Sequence, residues 1–164
     1  MTELFEKFLK VLKALGKEKV DYILIGGFAV ILHGLPRLTQ DIDIFVKMNS
    51  ENIKKLQKAL DDVFQDECIF DITFEELNQY SVIRYGAPDG FYIDIMARLG
   101  EFATYDDLEY EIMTFDEIPI NVATAQTLFK LKKDTLRSED KRDAFFLYEL
   151  MRQKGDDPNG NSKV

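Results

Sequence analysis

The chain has 164 residues, 46% of them hydrophobic and 31% charged, the balance of a globular protein with enough apolar residues for a real core. A net charge of −9, from 21 basic and 30 acidic residues, excludes broad nonspecific nucleic-acid binding, which needs phosphates neutralised by Lys and Arg. No apolar run is long enough for a bilayer, and the N-terminus with Glu3 and Glu6 lacks the form of a signal peptide, so a cytoplasmic protein is the default expectation; the single cysteine, Cys68, excludes an internal disulfide and is neutral on compartment.

Leu4, Phe5, Phe8, Leu9, Leu12 and Leu15 recur at helical spacing, with Gly16 as the stop. Lys19–Ile25 reads as a buried strand closed by Gly26-Gly27, and Phe28–His33 as the start of a helix. Gly34–Gln40 is a loop, Asp41–Lys47 a strand, and Asn49 or Ser50 caps a helix carrying Ile53, Leu56, Leu60, Val63 and Phe64. Cys68–Phe74 and Tyr80–Tyr85 read as short strands. The Gly86–Gly90 turn and the strand Phe91–Ala97 make Tyr80–Ala97 a β-hairpin. Ile118–Val122 is a further strand, and Ala123–Leu136 and Ser138–Arg152 are helices. These elements predict one α+β domain over residues 1–154, a mixed sheet with flanking helices and a C-terminal helical pair; residues 155–164 have nothing to bury and form a mobile tail.

Charge is uneven along the chain. Asp94 to Glu117 holds eight acids and one base, Arg98, whereas Gln126 to Lys154 holds eight bases and five acids. The latter span leaves room for a nucleotide or local nucleic-acid contact near the C-terminal helices.

In Asp41-Ile42-Asp43 both acids point to one strand face. Two adjacent carboxylates repel each other and are costly to desolvate, which a fold tolerates where a cation lies between them. Asp94 is the one charge in the apolar run Phe91–Ala97 and joins the pair if the two strands are neighbours. Three carboxylates can hold two Mg²⁺ ions, with Mn²⁺ as the alternative, and such a pair clamps the attacking and leaving oxygens of a phosphoryl or nucleotidyl transfer. Gly26 and Gly27 allow close approach of a phosphate to the backbone and to the helix start that follows. Arg37 and Thr39 lie just before the acids, where a cation and a hydroxyl can meet a triphosphate.

The pattern apolar-Gly-Gly, then Arg37-x-Thr39-x-Asp41-Ile-Asp43, then Tyr92-Ile-Asp94-Ile resembles the nucleotidyltransferase superfamily, the DNA polymerase β-like fold. That resemblance implies Asp41, Asp43 and Asp94 as catalytic metal ligands and Gly26 and Gly27 as the nucleotide-phosphate seat. Lys132, Arg137, Asp140 and Asp143 resemble a rear motif of the nucleotidyltransferase-like abortive-infection toxins and their relatives, in which the Lys and the first Asp are associated with nucleotide handling. Together the two motifs span about Tyr22 to Leu150 and imply transfer of an NMP from an NTP to a hydroxyl acceptor. The acceptor stays open between a small molecule, a protein side chain and a tRNA end. The alternative is a catalytically silent binding or toxin–antitoxin-type module with a partner protein.

Structural readings stand beside these. Asp41 can cap a turn and Asp43 can be a solvated strand-end residue. Asp94 can pair with Arg84 or Arg98, Lys132 and Asp140 can form a helix-surface network, and Arg137 can brace Asp140 or Asp143. His33 reads as a satisfied packing residue, Cys68 as buried and inert, and the acids from Glu101 to Glu117 as a solvated loop and helix face.

Overall fold

The computed structural model describes residues 2–99, 103–132 and 138–155. Helix α1 (Thr2–Lys17) leads to β1 (Tyr22–Ile25), α2 (Gly26–Leu32), β2 (Asp41–Val46) and α3 (Ser50–Phe64). A 3-10 turn at Glu67–Asp71 precedes α4 (Phe74–Gln79), β3 (Ile83–Gly86) and β4 (Tyr92–Met96). Then come the short pair β5 (Arg98–Leu99) and β6 (Ala103–Thr104), the hairpin β7 (Tyr110–Phe115) and β8 (Ile118–Ala123), and helices α5 (Ala125–Lys132) and α6 (Ser138–Gln153).

Among the described residues, six strands form one mixed sheet in the order β3-β4-β2-β1-β8-β7. Strand β2 runs antiparallel to β1 and parallel to β4, so the expected α+β mixed sheet is what the chain forms. Every residue of β1 is buried, as its unbroken apolar run requires. Phe8, Leu12 and Leu15 are the buried stripe of α1, and edge-to-face contacts of Phe8 with Phe28 and Phe91 link that helix to α2 and to the start of β4.

Asn49 caps α3, accepting from Asn52 N at 2.7 Å. Asn52 is itself buried and ties two backbone segments together: Asp21 N donates to its Oδ1 at 2.7 Å, and its Nδ2 donates to Asp21 O at 3.0 Å and to Lys47 O at 2.8 Å. No helix among the described residues is long and apolar enough to cross a membrane.

Three local expectations are corrected. Cys68–Phe74 is not a strand. Asp66 accepts from Cys68 N and Thr73 accepts from Glu76 N, and these side-chain caps start a 3-10 turn and α4 in turn. Cys68 consequently sits on the outside of that turn and is exposed rather than buried. The acidic stretch from 103 to 117 holds no α-helix: it contains β7, joined to β8 through Asp116 and Glu117, both with positive φ (49° and 66°). A two-residue hairpin of this kind is normally signalled by Asn-Gly or Asp-Gly, and Asp-Glu hides it. Glu101, Arg137 and the tail beyond Gly155 lie outside the described residues.

Candidate active site

The parallel register of β2 and β4 sets Asp43 opposite Asp94 and Asp41 opposite Tyr92, and on the far side of β4 Arg84 of β3 lies opposite Asp94. Period-2 alternation therefore gathers Asp43, Asp94 and Arg84 in one row across three strands, with Asp41 and Tyr92 in the next row on the same face. Arg84 grips Asp94 with two bonds, Nε to Oδ1 at 2.8 Å and Nη2 to Oδ2 at 3.0 Å, and Nη2 also reaches Asp41 Oδ2 at 3.3 Å. Its guanidinium lies 4.5 Å from the centroid of the Tyr92 ring, a cation–π contact. The ion pair of Asp94 with Arg84 is thus present, and Asp94 still neighbours Asp43.

Asp43 feels the crowding most. Burial, then the charge and hydrogen bonding of Asp94, then the charge of Asp41 push its pKa up to about 7 from 3.8, with Lys132 pulling the other way. As placed, no three His, Cys, Asp or Glu side chains among the described residues enclose an ion, and Arg84 engages two of the three carboxylates. The chemistry of the donor set still suits a hard divalent cation: Asp41, Asp43, Asp94 and Asp140 face Arg37, Arg84 and Lys132, an excess of acid in one polar cleft.

The rear segment folds back onto the same place. Lys132, the last described residue of α5, donates to Asp140 Oδ1 at 2.8 Å and lies 2.9 Å from Asp143 Oδ2. Arg37, from the loop before β2, donates through Nη1 to that same Oδ2 at 2.7 Å. Asp143 is fully buried, and its Oδ1 has no hydrogen-bond partner among the described residues.

A cleft of about 580 Å³ is walled by Gly27, Arg37, Thr39, Asp41, Asp43, Asp94, Lys132 and Asp140, together with Leu38, Gln40, Arg84 and Tyr92. Eight of the sequence-derived candidates therefore meet in one space, and the ninth, Gly26, lies directly against the Asp43 carboxylate. The glycines have separate tenants: a Cβ on Gly26 would overlap Asp43, and one on Gly27 would come within 2.7 Å of Arg37 Nη1. Thr39 Oγ1 is engaged with the backbone of Asp41, at 3.3 Å from its carbonyl oxygen and 3.4 Å from its nitrogen. His33 lies apart from the cleft and donates through Nε2 to Ala123 O at 2.9 Å, a packing role. Sequence reasoning missed Arg84 and Tyr92 as cleft residues. Tyr92 was legible, since it is two residues before Asp94 on one strand; Arg84 needed the strand pairing.

Solved structures share this arrangement of sheet and helices. The lincosamide antibiotic adenylyltransferase LnuA, lincomycin-bound, aligns with a TM-score of 0.60 at 17% identity, over 92% of this chain and 98% of its own. An antigenic nucleotidyltransferase-like protein from Paracoccidioides brasiliensis aligns at 0.59 and 16% identity, over 90% and 77%. ANT(2")-Ia in complex with adenylyl-2"-tobramycin aligns at 0.53 and 14% identity, over 94% and 92%. The chain has the nucleotidyltransferase fold. No curated protein matches it in sequence. The sequence model of the family described as nucleotidyl transferase AbiEii toxin, type IV TA system, matches residues 9–159, and the chain belongs to that family.

Proposed function

We propose that this chain is a Mg²⁺-dependent nucleotidyltransferase that moves an NMP from an NTP to a hydroxyl acceptor. The acceptor oxygen bonds to the α-phosphorus, the bond from that phosphorus to the bridging oxygen breaks, and pyrophosphate leaves. The observation that carries this reading is the side-by-side register of Asp43 and Asp94, with Asp41 in the next row, inside the cleft that also holds Arg37 and Lys132.

Asp41, Asp43 and Asp94 are the residues that would hold Mg²⁺, or Mn²⁺ in its place, in two sites. The ions would supply charge neutralisation and in-line clamping of the attacking and leaving oxygens. Asp94, its two oxygens bonded by Arg84, would help take the proton of the acceptor hydroxyl. Arg37 and Lys132 meet the charge of the triphosphate, and Asp140 holds the Lys132 ammonium in the cleft wall. Gly26 and Gly27 would be the phosphate seat of this reading, their missing side chains making room for the Asp43 carboxylate and the Arg37 guanidinium. Thr39 acts by shaping the turn into Asp41 as well as by any contact of its own.

Substituting Asp41 and Asp43 by Ala is expected to abolish Mg²⁺-dependent NTP turnover in a screen of labelled NTPs against candidate acceptors. Lincomycin, bound in one fold neighbour, and tobramycin, present as adenylyl-2"-tobramycin in another, are the first small acceptors to enter that screen, followed by protein side chains and tRNA ends. Undiminished turnover in the double variant would sink the assignment.

A second reading, a silent binding module, draws on one observation: Arg84 already neutralises Asp94 and Asp41. Calorimetry separates the two, because a silent module without a nucleotide role shows no heat with any Mg-NTP. The family's description, a toxin of a type IV TA system, also suggests a toxin role with an antitoxin as its counterpart; action in the cytoplasm is part of the same proposal.

A further inference from the structure

Two cationic side chains, Arg37 and Lys132, converge on one carboxylate oxygen of Asp143. Arg37 belongs to the loop between α2 and β2, Lys132 closes the described part of α5, and Asp143 sits on α6, 106 residues from Arg37. Asp143 Oδ2 takes Arg37 Nη1 at 2.7 Å and lies 2.9 Å from Lys132 Nζ. Arg37 and Lys132 line the cleft; Asp143 does not, and its side chain is 1% exposed. No ligand in the cleft can touch it.

We propose that Asp143 is the positioning residue of the triphosphate site: it touches no substrate, and it aims Arg37 and Lys132 into the cleft. This deepens the nucleotidyltransferase reading and rests on it. The physical case has three parts. First, Arg37 and Lys132 both have long side chains rich in rotamers, and Arg37 is carried by a loop; loosening them costs binding whenever a ligand must order them again, although Asp140 keeps its own hold on Lys132. Second, the guanidinium is a rigid planar fork, so a bond from Nη1 to Asp143 fixes the orientation of the whole group at the cleft wall. Third, Gly27 is the seat for that geometry, because a Cβ there would come within 3.3 Å of three guanidinium atoms. Buried ion pairs are poor evidence for stability in themselves. A shared anchor for two cations at a phosphate-facing wall has a functional explanation that stability lacks.

The inference predicts a sign. Removing a negative charge beside two cations should, by electrostatics alone, tighten binding of a triphosphate. If Asp143 works by positioning, Asp143→Asn weakens it. The experiment is calorimetry of wild type, Asp143→Asn, Arg37→Ala and the double variant with the α,β-methylene analogues of ATP, GTP, CTP and UTP in MgCl₂. The expected result is a dissociation constant roughly tenfold or more higher for Asp143→Asn. The loss in the double variant is expected to be smaller than the product of the two single losses, since part of the effect runs through Arg37.

Affinity equal to or tighter than wild type in Asp143→Asn, or losses that multiply fully, overturns the inference while leaving the nucleotidyltransferase reading intact. A wild-type protein that binds none of the four analogues overturns that reading, and this inference falls with it. If Asp143→Asn fails to fold, Arg37→Lys carries the test: it keeps the charge, but an ammonium cannot serve Asp143 and a phosphate as a fork does. A comparable loss supports positioning, and unchanged affinity overturns it.

Discussion

At Gly26 the backbone φ is 75°, and a Cβ there would overlap the carboxylate of Asp43. Asp43 is a short side chain on a central strand and has little room to yield. Gly26→Ala is therefore expected to cost about 1–3 kcal/mol of stability, from left-handed strain and overpacking together. At Gly27 the obstructed group is the far end of Arg37, which can swing aside. Gly27→Ala should fold with a stability change under about 1 kcal/mol yet bind Mg-NTP more weakly; thermal unfolding and calorimetry measured side by side test the contrast. Asp43 adds a pH signature. Its pKa rises from 3.8 to about 7 on folding, so between those values the folded state holds more protons than the unfolded state. In EDTA the Asp43 contribution to stability falls as pH rises through that window. Asp43→Asn cannot lose a proton, so its Tm relative to wild type should climb from pH 4 to pH 8; a difference that stays flat would contradict the crowding of Asp43 by Asp94 and Asp41.

The elements that place these residues were unequally legible. Strands β1, β2, β4 and β8 announce themselves by apolar runs, and α1 and α3 by apolar spacing, because each buries a face whose period is local. The segment Cys68–Phe74 misled for a local reason as well: Ile69, Ile72 and Leu77 are all buried, but the caps Asp66 and Thr73 decide the backbone. Strand β7 escaped notice because it is an edge strand: only Met113 and Phe115 pack against the core, while Tyr110 and Ile112 stand exposed and blur the apolar alternation. Asn52 is the element-scale joint behind β2, holding α3 to the Asp21 and Lys47 backbones. Asn52→Ala leaves those buried groups without partners and is expected to cost about 2–3 kcal/mol, on the scale of unmade buried hydrogen bonds; chemical denaturation measures it, and a loss under about 0.5 kcal/mol would show that water replaces the side chain.

At the scale of the whole molecule, the family and the site together bear on toxicity. Induced expression in a bacterial host is expected to arrest growth, and Asp41→Ala is expected to relieve that arrest at equal protein level; arrest that persists in the variant would separate toxicity from this site. The sequence by itself singled out the residues that the fold gathers at one cleft. A Gly pair after a strand, Asp41 and Asp43 on one face and a solitary Asp94 in an apolar run are local patterns, because strand alternation and the cost of a buried charge act over a few residues. Only the tertiary structure decided how those residues are partnered. Arg84 on Asp94 follows from the register of three strands, and Arg37 on Asp143 joins positions 106 residues apart. Such pairings depend on which segments the packed core brings side by side, and spacing along a chain carries no record of that distance.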